Sequence, residues 1–278
     1  MRKPQPQARS GGLRGAPRGP GARHGDGPER VWLFGIHAVR DALANPKRRR
    51  HRLILTKNAA DRLADVLEGA GIEPEIADAR RFTAPLDPGS VHQGAAMEVS
   101  PLDWGKLETR CLPAAEGPPA VVVALDRVTD PHNVGAVLRS AEVFGAQAVI
   151  APRHHSAPET GALAKTASGA LERQPYLRVR NLGDALEELG AMGYSLIGLD
   201  GEGDVTLPEA IAGAGSDPVC LVLGAEGPGL RARSRSLCHR IARIDPAGAF
   251  GSLNVSNAAA VSLFAARALR GPGKGPSA

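Results

Sequence analysis

Three segments of the chain share one grammar, and it constrains the fold more than any other feature. They are LDRVTDPHNVGAVLRSAEVFGA at 125–146, LVLGAEGPGL at 221–230 and IDPAGAFGSLNVSNAAA at 244–260. Each joins a strand-like run to a turn rich in Gly, Asn or Pro, and then to a helix-like run. Each leaves polar groups where a strand ends: Asn133 and Arg139, then Glu226, then Ser252 and Asn254. Open α/β sheets bind ligands outside the carboxyl ends of their strands. Three such ends predict one composite site.

The segments belong to a longer alternation. PAVVVALD at 119–126 is a near-continuous β-branched run, as suits a parallel strand buried on both faces. Strand-like runs follow at 146–151, 176–179, 194–200, 218–224 and 239–244, with helix-like runs at 133–144, 160–168, 182–189 and from about 254 to 269. This pattern predicts an α/β domain over 119–270, with a mostly parallel sheet covered by helices on both faces. Upstream, residues 31–103 read as a smaller α/β domain. Its strands are expected at the start of VWLFGIHAVRDAL, at 52–55, 73–76 and 94–99, with a helix over 58–69. Residues 104–118 lack a clear period and read as a linker.

Charge separates a further segment. Residues 1–30 carry seven Lys or Arg and two Asp or Glu, whereas the other 27 basic and 27 acidic residues cancel. The net charge of +5 is therefore a property of the N-terminal tail. A tail rich in Pro, Gly and Arg with few large apolar residues is expected to be disordered, and able to attract phosphates. Residues 271–278 are expected to be flexible. No run reaches 18 apolar residues, so no membrane span is expected, and the basic N-terminus lacks the apolar stretch of a signal peptide. Cys111, Cys220 and Cys238 form no CxxC pair; small buried thiols in a reduced, cytoplasmic protein are expected.

Several chemistries are disfavoured. No GxGxxG follows a strand, and neither a GxxxxGK[ST] loop nor an HExxH helix occurs. His154 and His155 are adjacent and read as an exposed loop rather than metal ligands, so no metal is expected. Ser252 sits in GSLN, not in a GxSxG nucleophile elbow. Taken singly, the polar residues have structural explanations. Asn133 suits the cap of the following helix, Gly135 a close backbone approach, Arg139 a salt bridge, Glu226 a solvent-facing turn, and Ser252 or Asn254 another cap. Their recurrence at three strand ends is what points to a site.

In order and spacing, NVGAVLRSAEVFGA, LVLGAEGPGL and GSLNVSNAAA resemble the three motifs of the SpoU-type RNA ribose 2′-O-methyltransferases of the SPOUT superfamily. The resemblance covers about 119–270. FGIHAVRDAL and VHQGAAMEV resemble the small L30e-like substrate-binding domain of the bacterial enzymes, including those that modify a guanosine of 23S rRNA. It implies a C-terminal trefoil-knotted sheet, a homodimer formed through the knotted domain, and S-adenosyl-L-methionine as methyl donor. It implies cofactor contacts at Gly224, Ile244 and Leu253, and a catalytic set of Asn133, Arg139, Glu226, Ser252 and Asn254. Arg139 would act as a cation that grips phosphate and stabilises a developing alkoxide, with Glu226 orienting it. The basic run KRRRHR at 47–52 would help to hold RNA; no DNA is expected as partner. A tRNA methyltransferase and a non-catalytic RNA-binding relative are the alternatives. The family often has Ile-Pro where this chain has Ile244-Asp245; Pro246 follows, so loop length is kept.

Overall fold

The computed structural model describes residues 30–87, 89–114, 116–248 and 251–270. The expectations for the basic tail, Arg30 apart, and for 271–278 lie outside the described residues. The smaller unit runs β1 (Val31–Phe34), α1 (Ile36–Ala44), β2 (Arg50–Leu55), α2 (Lys57–Arg62), α3 (Ala64–Leu67), β3 (Glu75–Ile76) and β4 (Ala95–Val99). Its sheet has the order β1-β4-β2-β3. The expected helix over 58–69 is broken at Leu63, whose backbone (φ −109°, ψ 6°) leaves the helical region and separates α2 from α3.

The stretch read as a linker packs on the larger unit instead. It forms α4 (Leu107–Arg110) and buries Leu107 and Cys111 in that unit's core. Two burials in so short a stretch are enough to dock it, but too few to show a period.

The larger unit continues β5 (Val121–Asp126), α5 (Pro131–Phe144), β6 (Ala148–Pro152), α6 (Gly161–Ala167), a 3-10 turn at Ala170–Glu172, β7 (Tyr176–Val179), α7 (Leu182–Ala191), β8 (Ser195–Leu199), β9 (Val205–Thr206), α8 (Leu207–Gly213), β10 (Val219–Gly224), α9 (Ala232–Leu237), β11 (Arg240–Arg243) and α10 (Val255–Leu269). The strand order is β7-β6-β5-β10-β8-β11-β9, and every pair is parallel. Side chains alternate across a strand. Val123, Leu125, Leu221 and Leu223 enter one core with α5, α6, α8 and α10, while Val122, Ala124, Cys220 and Val222 enter another with α7. Strands buried on both faces explain the unbroken β-branched runs. Sequence reading missed α8, although Thr206 and Glu209 form a capping box at its start.

Connectivity turns at the centre of this sheet. From β5 the chain moves outward through β6 to β7, whereas β10 lies on the other side of β5, between it and β8. Register sets Gly224 beside Asp126 and Leu223 beside Leu199, so the loops after β5, β10 and β8 leave one edge at one level. That edge is the switch point at which α/β sheets bind ligands.

The two units share a core. Gly161 at the start of α6 faces the Phe34 ring so closely that an added Cβ would lie 2.1 Å from it. Beside this contact, Arg48 is fully buried. Its guanidinium donates to Glu172 from Nε (3.0 Å) and Nη2 (2.6 Å), and to the Ser100 carbonyl from Nη1 (2.8 Å). Glu159, also buried, keeps Oε2 at 3.5 Å from Arg48 Nη1, too long for a well-formed hydrogen bond. One buried cation thus faces two carboxylates. Burial pushes the Glu159 carboxyl up to about 7, with Arg48 opposing and Glu172 reinforcing the shift.

The folded state therefore holds a proton on Glu159 at pH values where the unfolded chain has released it, and stability falls as pH rises from about 4.5 to about 7. Glu159→Gln mimics the protonated form. Thermal unfolding should show the variant close to wild type at pH 5 and more stable at pH 8, by on the order of 3 kcal/mol at most. Equal differences at both pH values would contradict the assignment.

Candidate active site

The first of the three loops is built by the start of α5. Pro131 occupies the first turn, where its missing N–H costs nothing, and the Asp130 side chain accepts from His132 N (2.9 Å). Asp130, not Asn133, is therefore the cap of α5. The helix begins two residues earlier than its apolar spacing suggested, and the Asn133 side chain is free for tertiary contact. Gly135 has the close approach expected of it: a Cβ there would lie 2.7 Å from the Leu163 carbonyl of α6.

The second loop folds back on itself. Gly229 N donates to Ala225 O (3.0 Å), and Gly227 and Gly229 have φ of +82° and +64°, values that suit glycine. Its far end is pinned by Asp126, the last residue of β5, whose fully buried carboxylate accepts from Arg231 N (2.9 Å) and Arg231 Nε (2.8 Å). Gly224 admits no side chain, because a Cβ would lie 2.2 Å from the Gly229 backbone.

The third loop ends at Asn254, the cap of α10. Its Oδ1 accepts from Ser256 N (2.8 Å) and Ser256 Oγ (2.6 Å). Its Nδ2 donates to Asn133 Oδ1 (2.9 Å) and Glu226 Oε1 (2.6 Å), and Asn133 Nδ2 donates to the same Glu226 oxygen (3.3 Å). One residue from each loop meets in this cluster. Glu226 Oε2 has no hydrogen-bond partner among the described residues.

Arg139 is not in the cluster. It lies six residues beyond Asn133, about 9 Å along the helix and on a different face. It is solvent-exposed and makes no hydrogen bond or ion pair among the described residues. The expected salt bridge is therefore absent there, and Glu226 is held by two asparagines rather than orienting Arg139.

Beside the cluster lies a cavity of about 810 Å³, lined by Gly224, Glu226, Ile244, Ser252, Leu253 and Asn254, among others. Sequence reading missed one wall of it: Leu199, Asp200, Gly201 and Glu202 at the end of β8. The signal was present, since LDGEG ends a parallel strand as the other segments do. The lining contains no Lys, Arg or His and three carboxylates, of which Asp200 is paired with Arg235. Apolar walls come from Leu199, Leu223, Ala242, Ile244, Leu253 and Val255. Asp245 points its charge at Arg243 Nε (2.7 Å). Among the described residues no cluster of His, Cys, Asp or Glu could hold a metal ion, and His154 and His155 are exposed.

Fold and cavity together define an α/β protein with a composite ligand site at the switch point of a parallel sheet, suited to a partly apolar, cationic molecule. Residues 120–264 match the model of the SpoU rRNA Methylase family, and residues 32–104 match that of RNA 2'-O ribose methyltransferase substrate binding. The chain is 40% identical over 236 residues to the 23S rRNA (guanosine-2'-O-)-methyltransferase RlmB of Pseudomonas aeruginosa, covering 84% of this chain and 94% of the relative. It is also 40% identical over 238 residues to the RlmB of Ralstonia nicotianae, with the same shares covered. Among solved structures it is similar to the SpoU methyltransferase AviRb of Streptomyces viridochromogenes in complex with AdoMet. The TM-score is 0.69 and the identity 25%, covering 85% of this chain and 89% of that one. The chain belongs to the SpoU rRNA methylase family.

Asn254→Ala would remove a helix cap and the amide that joins the other two loops. A loss of about 1–2 kcal/mol is expected in urea unfolding. An unchanged midpoint would mean that the cluster does not tie the loops together.

Proposed function

We propose that this protein transfers a methyl group from S-adenosyl-L-methionine to the ribose 2′-hydroxyl of a guanosine in 23S rRNA. The observation that carries this reading is the cluster of Asn133, Glu226 and Asn254 at the rim of an acid-lined, partly apolar cavity. The similarity to RlmB proteins over most of the chain supports it.

The cavity fits the cofactor in size and in charge. About 810 Å³ lies within the range of small-molecule sites, and carboxylates without a lining cation suit a sulfonium and an ammonium. Gly224, Ile244 and Leu253 would hold it through backbone and apolar contact. When bound, S-adenosyl-L-methionine supplies an electrophilic methyl group. The chain's own residues then have to orient the 2′-hydroxyl and help remove its proton. Asn133 and Asn254 fix Glu226, whose free oxygen can accept a hydrogen bond from the hydroxyl. Ser252 lines the same wall. Arg139 serves as a phosphate-gripping and alkoxide-stabilising cation, because a guanidinium stays protonated in proteins.

Arg139 reaches the reaction through dimerisation. Val143, one turn along α5 from Arg139, is 70% exposed, and α10 exposes Val261 and Phe264, the latter at 59%. Phe144 and Phe264 meet edge to face. Such a face on α5 and α10 supports a homodimer with Arg139 at its rim. The family's knot would lie where the chain passes from β11 through the third loop to α10. No described helix is long and apolar enough to cross a membrane, and Cys111, Cys220 and Cys238 are free thiols. Both fit activity on rRNA in the cytoplasm.

Transfer of labelled methyl groups to an unmodified 23S rRNA transcript tests the reading. Wild type should label the transcript at a ribose, and Arg139→Ala should lower kcat/KM by about a hundredfold or more. Arg139→Lys should keep partial activity with the wild-type pH profile. Label in tRNA alone would overturn the substrate, and no label in any RNA would overturn the activity. A profile shifted toward a lysine pKa would overturn the electrostatic role of Arg139.

A further inference from the structure

Arg48, Arg50 and Arg52 of the basic run at 47–52 are committed to structure, which narrows what that run can offer to RNA. Arg48 is buried against Glu159 and Glu172. Arg50 donates to the carbonyls of Ala42, Leu43, Asn45 and Ala70, and Arg52 pairs with Glu75. Arg40 likewise pairs with Asp65. Lys47 and Arg49 of the run stay exposed, without a side-chain partner among the described residues, and further uncommitted cations gather at a groove. Lys57 and Arg62 are exposed, their side chains make no hydrogen bond among the described residues, and both line a groove of about 580 Å³ at the carboxyl ends of β2 and β3. Arg80 and Arg81 follow the groove residue Ala79 and are also exposed.

The opposite wall is His92-Gln93-Gly94, and it is rigidly held. The His92 ring stacks on Phe82, with centroids 4.1 Å apart and planes 13° from parallel. Its Nδ1 accepts from Gly94 N (3.1 Å), which fixes the tautomer and leaves the ring hydrogen on Nε2. Gln93 has φ +53°, unfavourable for a residue with a side chain, and its Oε1 accepts from Ile36 N (3.2 Å). A Cβ on Gly94 would lie 2.3 Å from Thr56 Oγ1. Strain, a tailored tautomer and a required glycine in three consecutive residues are more than a surface turn needs. Asn58 adds an amide with no side-chain partner among the described residues.

We infer that this groove is a second RNA site, separate from the methyl-transfer cavity, that takes one unpaired nucleotide. Lys57 and Arg62 neutralise its phosphates, while His92 Nε2–H and the Asn58 amide read its base edge. The inference rests on the RNA substrate proposed above. An acidic peptide could engage the same groups, but the match of residues 32–104 to the RNA 2'-O ribose methyltransferase substrate binding model favours RNA. RNA is recognised at unpaired nucleotides because their base edges are open.

The test is equilibrium binding of the full-length protein to an unmodified 23S rRNA transcript, read by fluorescence anisotropy across a salt series. Lys57→Ala/Arg62→Ala should bind about tenfold more weakly and lower the magnitude of the salt slope by about 2. Its KM for RNA should rise in step, with the Kd for S-adenosyl-L-methionine unchanged. His92→Phe keeps the stack but removes the Nε2–H donor together with the acceptor of Gly94 N, and should weaken binding several-fold with the salt slope unchanged. Lys106→Ala/Arg240→Ala, an equal loss of exposed charge elsewhere, should bind as wild type does. Wild-type binding by the groove variants, or equal weakening in the charge control, would overturn the inference. So would competition for the groove by a poly-glutamate peptide but not by a short single-stranded RNA. Because binding is read without turnover, absence of methyl transfer on every RNA would sink the proposed function while leaving this result to stand or fall by itself.

Discussion

The side-chain amide of Asn254 is the contact on which the site depends. Its two Nδ2 hydrogen bonds reach Asn133 and Glu226, which are 121 and 28 residues away in the chain, so one group joins three loops. Each bond to an exposed partner contributes only about 1 kcal/mol net, somewhat more to the carboxylate. That suffices because little disorder remains to be removed. The β5 and β10 loops leave neighbouring strands in fixed register, and Asp126 clamps the end of the second loop through Arg231. The sheet positions the loops to within a residue, and the amide sets the final geometry.

The same economy governs the charges. Among the described residues the cavity lining has no cation, and although Arg235 compensates Asp200 from behind, Glu202 and Glu226 keep their attraction for a positively charged ligand. Most arginines of the small unit are held by carboxylates or carbonyls. Arg48, the most buried of them, secures the small unit to the larger one at the cost of a second carboxylate held near neutrality. Among the described residues, exposed cations without a side-chain partner, Lys57, Arg62 and Arg139 among them, are where polyanion contact is to be sought.

Much of this was legible in the sequence, for reasons that can be located. Strands buried on both faces must be apolar throughout, so β5 and β10 announced themselves, and with them the sheet and its ligand-binding edge. Four of the five polar residues read from strand ends line the cavity or its cluster. Arg139 was misread as a salt-bridged residue of an apolar face, although the signal was present: Val134, Val137, Leu138 and Ala141, at helical spacing, are the buried face of α5, and Arg139 lies off it. The cap of α5 was misread because Pro131 tolerates the first turn and moves the helix start upstream. KRRRHR was read whole as an RNA contact, since nothing local reveals that Glu159 and Glu172, more than a hundred residues on, fold over Arg48. Asp200 and Glu202 were legible in principle, from the same strand-end rule applied once more.

A double-mutant cycle between Asn133→Ala and Asn254→Ala, read as kcat/KM for methyl transfer to unmodified 23S rRNA, tests most directly whether the three loops form one catalytic unit. If they do, either change alone removes most of what the pair removes, and the coupling energy is at least about 1 kcal/mol. Fully additive losses would mean that the loops act independently, and would contradict the account.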